Sequence, residues 1–132
     1  MAKTNRPLSP HLQVYRWQVQ MVTSILHRAT GIVLAAGALI AVYGAVQLAM
    51  GRQAWDAFAA CLGSPLGLVF MFGWTWAFSY HLLNGIRHLF QDAGKGYAIA
   101  AFVRNSWFTI IGSVVLTAII FCVAMMHQGG VQ

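Results

Sequence analysis

The stretch ATGIVLAAGALIAVYGAVQLAMG, residues 29–51, contains no charged side chain and separates Arg28 from Arg52. At about 1.5 Å per residue, a helix of this length spans about 35 Å, which is enough to cross a hydrocarbon core of about 30 Å. A lone strand is excluded, because backbone groups in lipid need hydrogen-bond partners within their own segment. The stretch therefore predicts a transmembrane helix over about residues 24–50.

Two further segments have the same apolar character. The uncharged run 57–86 is too long for one straight crossing, and "GSP" at 63–65 divides it, because proline suits the first turn of a helix. The third segment contains "VVLTAII", which would favour a strand in water, but a membrane overrides that preference. We therefore predict an all-α membrane protein with three transmembrane helices in an up-down bundle, the second at about 65–90 and the third at about 106–127.

Composition supports this fold class. The chain has 132 residues, of which 59% are hydrophobic and 8% are charged, with a formal net charge of +6. A soluble domain usually has about a quarter of its residues charged. The basic residues are few and flank apolar runs, so a nucleic-acid-binding protein is excluded. Cys61 and Cys122 match no metal-site spacing and are too few for a disulfide framework, so we interpret both as small apolar residues.

The basic side chains are distributed unevenly over the predicted loops. Arg52 alone lies between the first and second helices, and the C-terminal tail has none. The other side of the membrane receives all the rest, namely Lys3, Arg6, Arg16, Arg28, Arg87, Lys95 and Arg104. Because cytoplasmic loops carry the excess of Lys and Arg, we expect a cytoplasmic N-terminus and a periplasmic C-terminus.

The N-terminal residues 1–22 are predicted to form a cytoplasmic arm of a single domain that covers residues 1–132. Pro7 and Pro10 oppose helix formation there. The arm is neither a signal peptide nor an Arg- and Ser-rich transit peptide, which favours a multi-pass protein of a bacterial inner membrane.

Polar side chains interrupt the apolar pattern in "SYHLLNGIRHLFQDAGKGY", residues 79–97. His81, Gly85, His88 and Asp92 share one face of the second helix. His81 lies about 9 Å deeper than Arg87, which is expected with His88 to reach the interface. Imidazole is a common axial ligand of haem iron, and a glycine one turn away leaves room for a flat macrocycle. A structural histidine bonded to a neighbouring helix remains the alternative.

The first helix carries a second polar face in "TSILHRATG", residues 23–31, with Ser24, His27, Arg28 and Gly31 at helical spacing. The guanidinium of Arg28 offers a fork of donors that suits a propionate carboxylate or a quinone carbonyl. The alternative is an arginine that only anchors the helix at the membrane surface.

Three blocks carry a resemblance to a known family: "RPLSPHLQVYR" (6–16), "SILHRATG" (24–31) and "HLLNGIRHLFQDAG" (81–94). In this order they resemble the signature blocks of the cytochrome b subunits of succinate dehydrogenase, respiratory complex II. The third helix is similar to the family only as an apolar span.

The resemblance implies a role for each polar residue. His81 is expected to be an axial ligand of haem b, and His27 to lie close to a haem propionate. Ser24 and Arg28 are expected in the ubiquinone pocket, and Asp92 at the quinone-side surface. His27 and His88 are expected nearer the interface than His81, too shallow to reach the iron.

The resemblance also implies partners and a reaction. A second small membrane-anchor subunit would supply the other haem ligand, and an iron–sulfur subunit and a flavoprotein subunit would dock on the cytoplasmic face. The complex would oxidise succinate to fumarate and pass two electrons to a quinone, which links the tricarboxylic acid cycle to the respiratory chain. This chain lacks a nucleotide fingerprint and a cluster ligand set, so it would contain no catalytic residue for succinate.

Two other functions stay open at this point. One is the anchor of a quinol:fumarate reductase, which runs the reverse reaction. The other is a cofactor-free transporter or assembly subunit. A cation transporter is expected to have an acidic residue near mid-membrane, and neither Asp56 nor Asp92 is predicted there.

Overall fold

The computed structural model describes residues 16–129, and every regular element in that range is an α-helix. The four helices are α1 (Val19–Met50), α2 (Arg52–Gly63), α3 (Pro65–Asp92) and α4 (Ile99–Gly129). α1, α3 and α4 are long and apolar enough to cross a membrane, as the sequence predicted. Most of the predicted arm, including both of its prolines, lies outside the described residues.

α1 begins at Val19, earlier than the apolar run alone indicated, after Gln18 in an extended conformation. Its 32 residues correspond to about 48 Å, which exceeds the hydrocarbon core, so at least one of its ends extends beyond the core. The helix stops at Met50 because Gly51 has φ 111°, a conformation that side-chain-bearing residues rarely adopt.

α2 replaces the loop that the sequence predicted between the first two spans. The ring of Phe58 packs edge-on against Tyr43 of α1, with ring centroids 5.8 Å apart. On its other side Arg52 and Asp56 form an exposed ion pair at 3.5 Å. A helix with one aromatic face and one charged face is typical of the membrane–water interface. Its 12 residues are too few to span the hydrocarbon core.

α3 begins where the "GSP" motif predicted. Ser64 caps the helix, because its Oγ accepts a hydrogen bond from the Gly67 N–H at 3.1 Å, and Pro65 occupies the first turn. The Ser64 hydroxyl also donates to the Cys61 carbonyl at 2.7 Å, which joins the end of α2 to the start of α3.

α3 ends in a Schellman motif. The Gly94 N–H donates to the Gln91 carbonyl at 2.8 Å, and the Lys95 N–H donates to the Phe90 carbonyl at 3.1 Å. Gly94 has φ 77°, which favours glycine at this position. The motif reverses the chain and places Lys95 over the end of the helix, just before α4.

The three long helices form an up-down bundle in which α3 contacts both of the others. His27 of α1 lies against His81, whereas Gly37, further along α1, lies against Trp74, earlier in α3, so the two helices are antiparallel. α4 is antiparallel to α3 as well. Its start is marked by Phe102, which lies under Arg87, and its later part by Phe121, which packs on Phe72.

The bundle has a polar interior and an apolar exterior. Among the described residues, only Ala77 and Tyr80 are buried hydrophobic side chains. The buried polar side chains of α4 share one face: Ser106, Thr109, Ser113 and Thr117. Each of their hydroxyls donates to a carbonyl of its own helix, at 2.7–3.0 Å. Small polar residues inside and large apolar residues outside are typical of helices that pack in lipid.

Candidate functional site

Three imidazole rings meet where α1 and α3 pack together. The rings of His27 and His81 are stacked, with centroids 4.0 Å apart and planes inclined by 11°. The His27 ring also lies 5.2 Å from that of His88, at an angle of 46°. The His27 ring thus contacts both histidines of α3. The antiparallel packing of the two helices brings the three rings together.

His81 is held by two hydrogen bonds from one of its ring nitrogens. Its Nδ1 lies 3.2 Å from the His27 carbonyl oxygen and 3.3 Å from the Thr30 Oγ1. A carbonyl only accepts, and the Thr30 hydroxyl already donates to the Leu26 carbonyl at 2.8 Å. In the neutral ring, Nδ1 therefore carries the proton and Nε2 carries the free lone pair. This arrangement is the one that metal-ligating histidines generally adopt.

Two glycines flank His81, and they have different roles. A Cβ at Gly31 would lie 3.1 Å from the His81 Cε1, so the absence of a side chain there lets α1 approach the ring. A Cβ at Gly85 would meet nothing within 4 Å among the described atoms. The close contact thus belongs to Gly31, while Gly85 leaves open space on the face of α3 that carries His81.

A cleft of about 410 Å³ lies between α1 and α3, lined by Thr30 but not by His81 itself. Thr30, which binds the His81 ring, lines this cleft together with Ala77, one turn before His81 on α3. The remaining lining residues are mostly apolar: Leu26, Ala29, Val33, Val69, Phe70, Gly73, Trp74 and Trp76. An apolar cleft thus lies beyond Thr30, which contacts the His81 Nδ1.

His27 contributes an unsatisfied polar atom. Its Nδ1 is buried and has no hydrogen-bond partner within the part of the chain that the structure describes. A buried polar atom without a partner costs free energy, so such atoms call for an explanation such as a missing ligand group.

Ser24, Arg28 and Asp92 are all exposed at the end of the bundle where α1 starts and α3 finishes. Within residues 16–129, none of the three side chains makes a hydrogen bond or an ion pair. The structure thus places the three predicted quinone-site residues at one end of the bundle without joining them. A closed pocket there needs a second protein surface.

Arg87 departs from the sequence-based expectation of an interfacial side chain. It is only 8% exposed. Its Nη1 donates to the Asn84 Oδ1 at 3.0 Å and to the Thr23 Oγ1 at 3.4 Å, and its guanidinium lies 4.5 Å from the centre of the Phe102 ring. The expectation failed because α1 and α4 cover this face of α3.

Arg87 belongs to a second polar stripe on α3 that the sequence analysis missed. The stripe comprises Tyr80, Asn84, Arg87 and Gln91, all of them buried. The Tyr80 hydroxyl donates to the Thr23 carbonyl at 2.9 Å, which ties the stripe to α1. The signal was present in the sequence, since the stripe repeats the spacing of His81, Gly85, His88 and Asp92 one residue earlier.

Residues 2–121 match the family of succinate dehydrogenase/fumarate reductase transmembrane subunits. The chain belongs to this family. The succinate dehydrogenase cytochrome b556 subunit of Paracoccus denitrificans is 44% identical over 122 residues, which cover 90% of this chain and 94% of that protein. The cytochrome b556 subunit of Rickettsia felis is 37% identical, with coverages of 88% and 90%. The mitochondrial cytochrome b560 subunit of Sus scrofa is 39% identical, with coverages of 87% and 72%.

As a succinate dehydrogenase/fumarate reductase transmembrane subunit, the chain is a multi-pass membrane protein, and its three long apolar helices agree with that assignment. The predicted location in a bacterial inner membrane fits the bacterial relatives, which it matches over most of their length. The resemblance read from the three sequence blocks is confirmed.

Proposed function

We propose that this chain is the membrane-anchor, haem b-binding and quinone-site subunit of a succinate:quinone oxidoreductase. It would help to pass electrons from succinate oxidation, carried out by other subunits, to ubiquinone. The observation that carries the proposal is the orientation of His81. Its Nδ1–H is engaged by α1, which leaves Nε2 without a hydrogen-bond partner among the described residues.

His81 is the proposed axial ligand of the haem iron. The two hydrogen bonds to its Nδ1 hold the ring and increase the basicity of Nε2. Within residues 16–129, no group of three or more His, Cys, Asp and Glu is placed to hold a metal ion. We propose that a second small membrane-anchor subunit provides the other axial histidine. The haem, when bound, supplies a one-electron carrier whose potential the protein tunes.

His27 is proposed to bind a haem propionate. The buried and unpartnered His27 Nδ1 fits this role, because a propionate oxygen would satisfy it. The stacked His27 ring would also limit rotation of the His81 ring.

Ser24, Arg28 and Asp92 are proposed to contribute to the ubiquinone pocket. The Ser24 hydroxyl and the Arg28 guanidinium would donate hydrogen bonds to a quinone oxygen and stabilise the negative charge that develops there on reduction. Asp92 would lie at the entrance on the same side. All three are exposed in the isolated chain, which supports a pocket completed by partner subunits.

The proposed orientation is supported by the distribution of the basic side chains. The end of the bundle at which α1 starts and α3 finishes carries Arg16, Arg28, Lys95 and Arg104, whereas α2 at the other end carries Arg52. We propose that the first end faces the cytoplasm and that the iron–sulfur and flavoprotein subunits dock there. The C-terminus would then be periplasmic.

The family also contains fumarate reductase subunits, so an anchor of quinol:fumarate reductase is the second candidate. The names of the relatives at 34–44% identity, all of them succinate dehydrogenase subunits, favour succinate oxidation. A cation transporter is not favoured, because both acidic residues of the chain, Asp56 and Asp92, are exposed rather than buried within the bundle.

The experiment that tests the proposal uses the purified complex. Haem is quantified per flavin, and oxidised and reduced absorption spectra are recorded for the wild type, His81→Leu and His127→Leu. His127 is exposed at the opposite end of the bundle and serves as the matched control. We expect a low-spin bis-histidine spectrum in the wild type and the control, and its loss in His81→Leu. An unaltered spectrum in His81→Leu would show that His81 is not the ligand.

A further inference from the structure

A cavity of about 450 Å³ lies between the end of α3 and the start of α4. It lies on the face of α3 that packs against α4, and neither Ser24 nor Arg28 lines it. Three cationic side chains do line it: Arg87, Lys95 and Arg104. Its volume is in the range of small-molecule sites, about 300–1,000 Å³.

The cations of this cavity have no acidic partner. The sequence has only two acidic residues. Asp56 pairs with Arg52 on α2, and Asp92 does not line the cavity. Within the described part of the chain, neither Arg87 nor Lys95 nor Arg104 makes an ion pair.

Arg87 gives the cavity a built polar wall. Arg87 is only 8% exposed, and its Nε is buried without a hydrogen-bond partner among the described residues. The Nη1 is fixed by Asn84 and Thr23, so the guanidinium is held in place before any ligand arrives. Such an arginine adds a fixed positive charge to the cavity wall, which favours an oxyanion.

The polar amides of Gln91 and Asn105 and the first turn of α4, at Ala101, complete the polar part of the lining. The first turn of a helix presents unpaired N–H groups that also favour an anion. The rim is different, because Ile86, Phe90 and Phe108 line the cavity and are 42%, 60% and 65% exposed. A cationic wall beside an exposed apolar rim is complementary to an amphiphile with an anionic head and apolar chains.

We propose that this cavity binds the phosphate of an anionic phospholipid, with the acyl chains lying against the apolar rim. A phosphate group matches the cationic wall, and the exposed aromatic side chains match hydrocarbon. Basic pockets between membrane helices are known sites for anionic headgroups. A soluble oxyanion would use the cationic wall but would leave the apolar rim without a role.

The test uses the whole complex, reconstituted in nanodiscs of phosphatidylcholine with or without phosphatidylglycerol. Bound lipid is counted by native mass spectrometry after partial delipidation. The test variant combines Lys95→Gln with Arg104→Gln. The control is Arg52→Gln, which removes one exposed charge on α2, at the other end of the bundle. Lys95 and Arg104 are both exposed, so the double variant is expected to fold.

We expect the wild type and Arg52→Gln to retain phosphatidylglycerol, and the double variant to bind it about thirtyfold more weakly. Each basic side chain near a membrane surface contributes about a fivefold factor in affinity. Equal retention in the double variant would overturn the proposal. A second result would also overturn it. If inorganic phosphate alone stabilises the complex in phosphatidylcholine discs, and if this effect needs Lys95 and Arg104, the ligand is a soluble anion. Loss of the iron–sulfur subunit from the double variant with unchanged lipid would instead make the cavity a protein-docking site.

Discussion

The imidazole rings of His27 and His81 stack nearly parallel across the interface between α1 and α3, with centroids 4.0 Å apart. The same pair is joined a second time, because the His27 carbonyl lies 3.2 Å from the His81 Nδ1. One residue therefore fixes both the plane of the His81 ring and the identity of its protonated nitrogen. The backbone link survives substitution of the His27 side chain, whereas the stacking does not.

His27→Leu is therefore expected to keep haem but to shift its midpoint potential, because the stacked ring and the proposed propionate contact are lost. His88→Leu should keep haem with an unchanged spectrum, since His88 contacts His27 and not His81. Redox titration of the haem band in the purified complex measures both. If either variant loses the low-spin spectrum while His81→Leu keeps it, the substituted histidine and not His81 is the haem ligand.

Thr30→Val is expected to raise the haem midpoint potential by about 20–60 mV without loss of haem. The substitution removes one acceptor for the His81 Nδ1–H, worth about 0.5–1.5 kcal/mol, so the ring becomes a weaker donor to ferric iron. Thr30→Ser keeps the hydroxyl and is the matched control. Equal potentials for the valine and serine variants in the same titration would remove Thr30 from the haem site.

Arg28→Leu is expected to lower kcat/KM for quinone reduction about 10- to 100-fold, while succinate oxidation with a soluble dye stays normal because the dye bypasses the membrane site. Ser24→Ala should act in the same way but only about fivefold, since a neutral hydrogen bond is weaker than a charged one. Steady-state kinetics with both acceptors separates the two activities. Wild-type quinone kinetics in Arg28→Leu would leave Arg28 as a surface anchor.

Gly37→Ala is expected to destabilise the bundle by about 1–3 kcal/mol, because the new methyl group would overlap the indole of Trp74. Gly63→Ala adds the same methyl group at a helical position with nothing within 4 Å and should be neutral. Thermal unfolding of the detergent-solubilised complex, followed by loss of subunit association, compares the two. Equal unfolding temperatures for the two variants would mean that the α1–α3 contact accommodates the methyl group without loss of stability.

A reporter fused to the C-terminus is expected to be active if it functions only in the periplasm, and inactive if it needs the cytoplasm. The uneven distribution of basic side chains and the three spans lead to this result. A reporter between α3 and α4, after Gly96, should give the opposite pattern. Cytoplasmic activity at the C-terminus would contradict the proposed orientation.

The three spans could be predicted because lipid imposes a length and an apolar composition on any crossing helix. The start of α3 was equally predictable, since Ser64 and Pro65 act through local chemistry. α2 could not be found in this way, because a short interfacial helix is defined by which side chains meet α1, as Phe58 does. Its position depends on tertiary contacts.

The candidate site shows the same division. Helical spacing was enough to place His81 and Gly85 on one face. The pairing of His81 with Gly31 and Thr30 was not predictable, because it depends on how far α1 slides along α3. The prediction that Arg87 reaches the interface failed for a related reason. Arg87 lies close to the end of the helix, where a long side chain can reach the interface, and only the packing of neighbouring helices buries it.

The burial of Arg87 has a consequence for how the protein is made. An arginine within an isolated membrane helix costs up to about 2.5–3.5 kcal/mol when the translocon releases it into lipid. The ribosome delivers α1 before α3 and α4 last, so Thr23 on α1 is available to Arg87 at that moment and Phe102 on α4 is not. α1 is thus the first neighbouring helix that can offer Arg87 a hydrogen bond as the chain is synthesised.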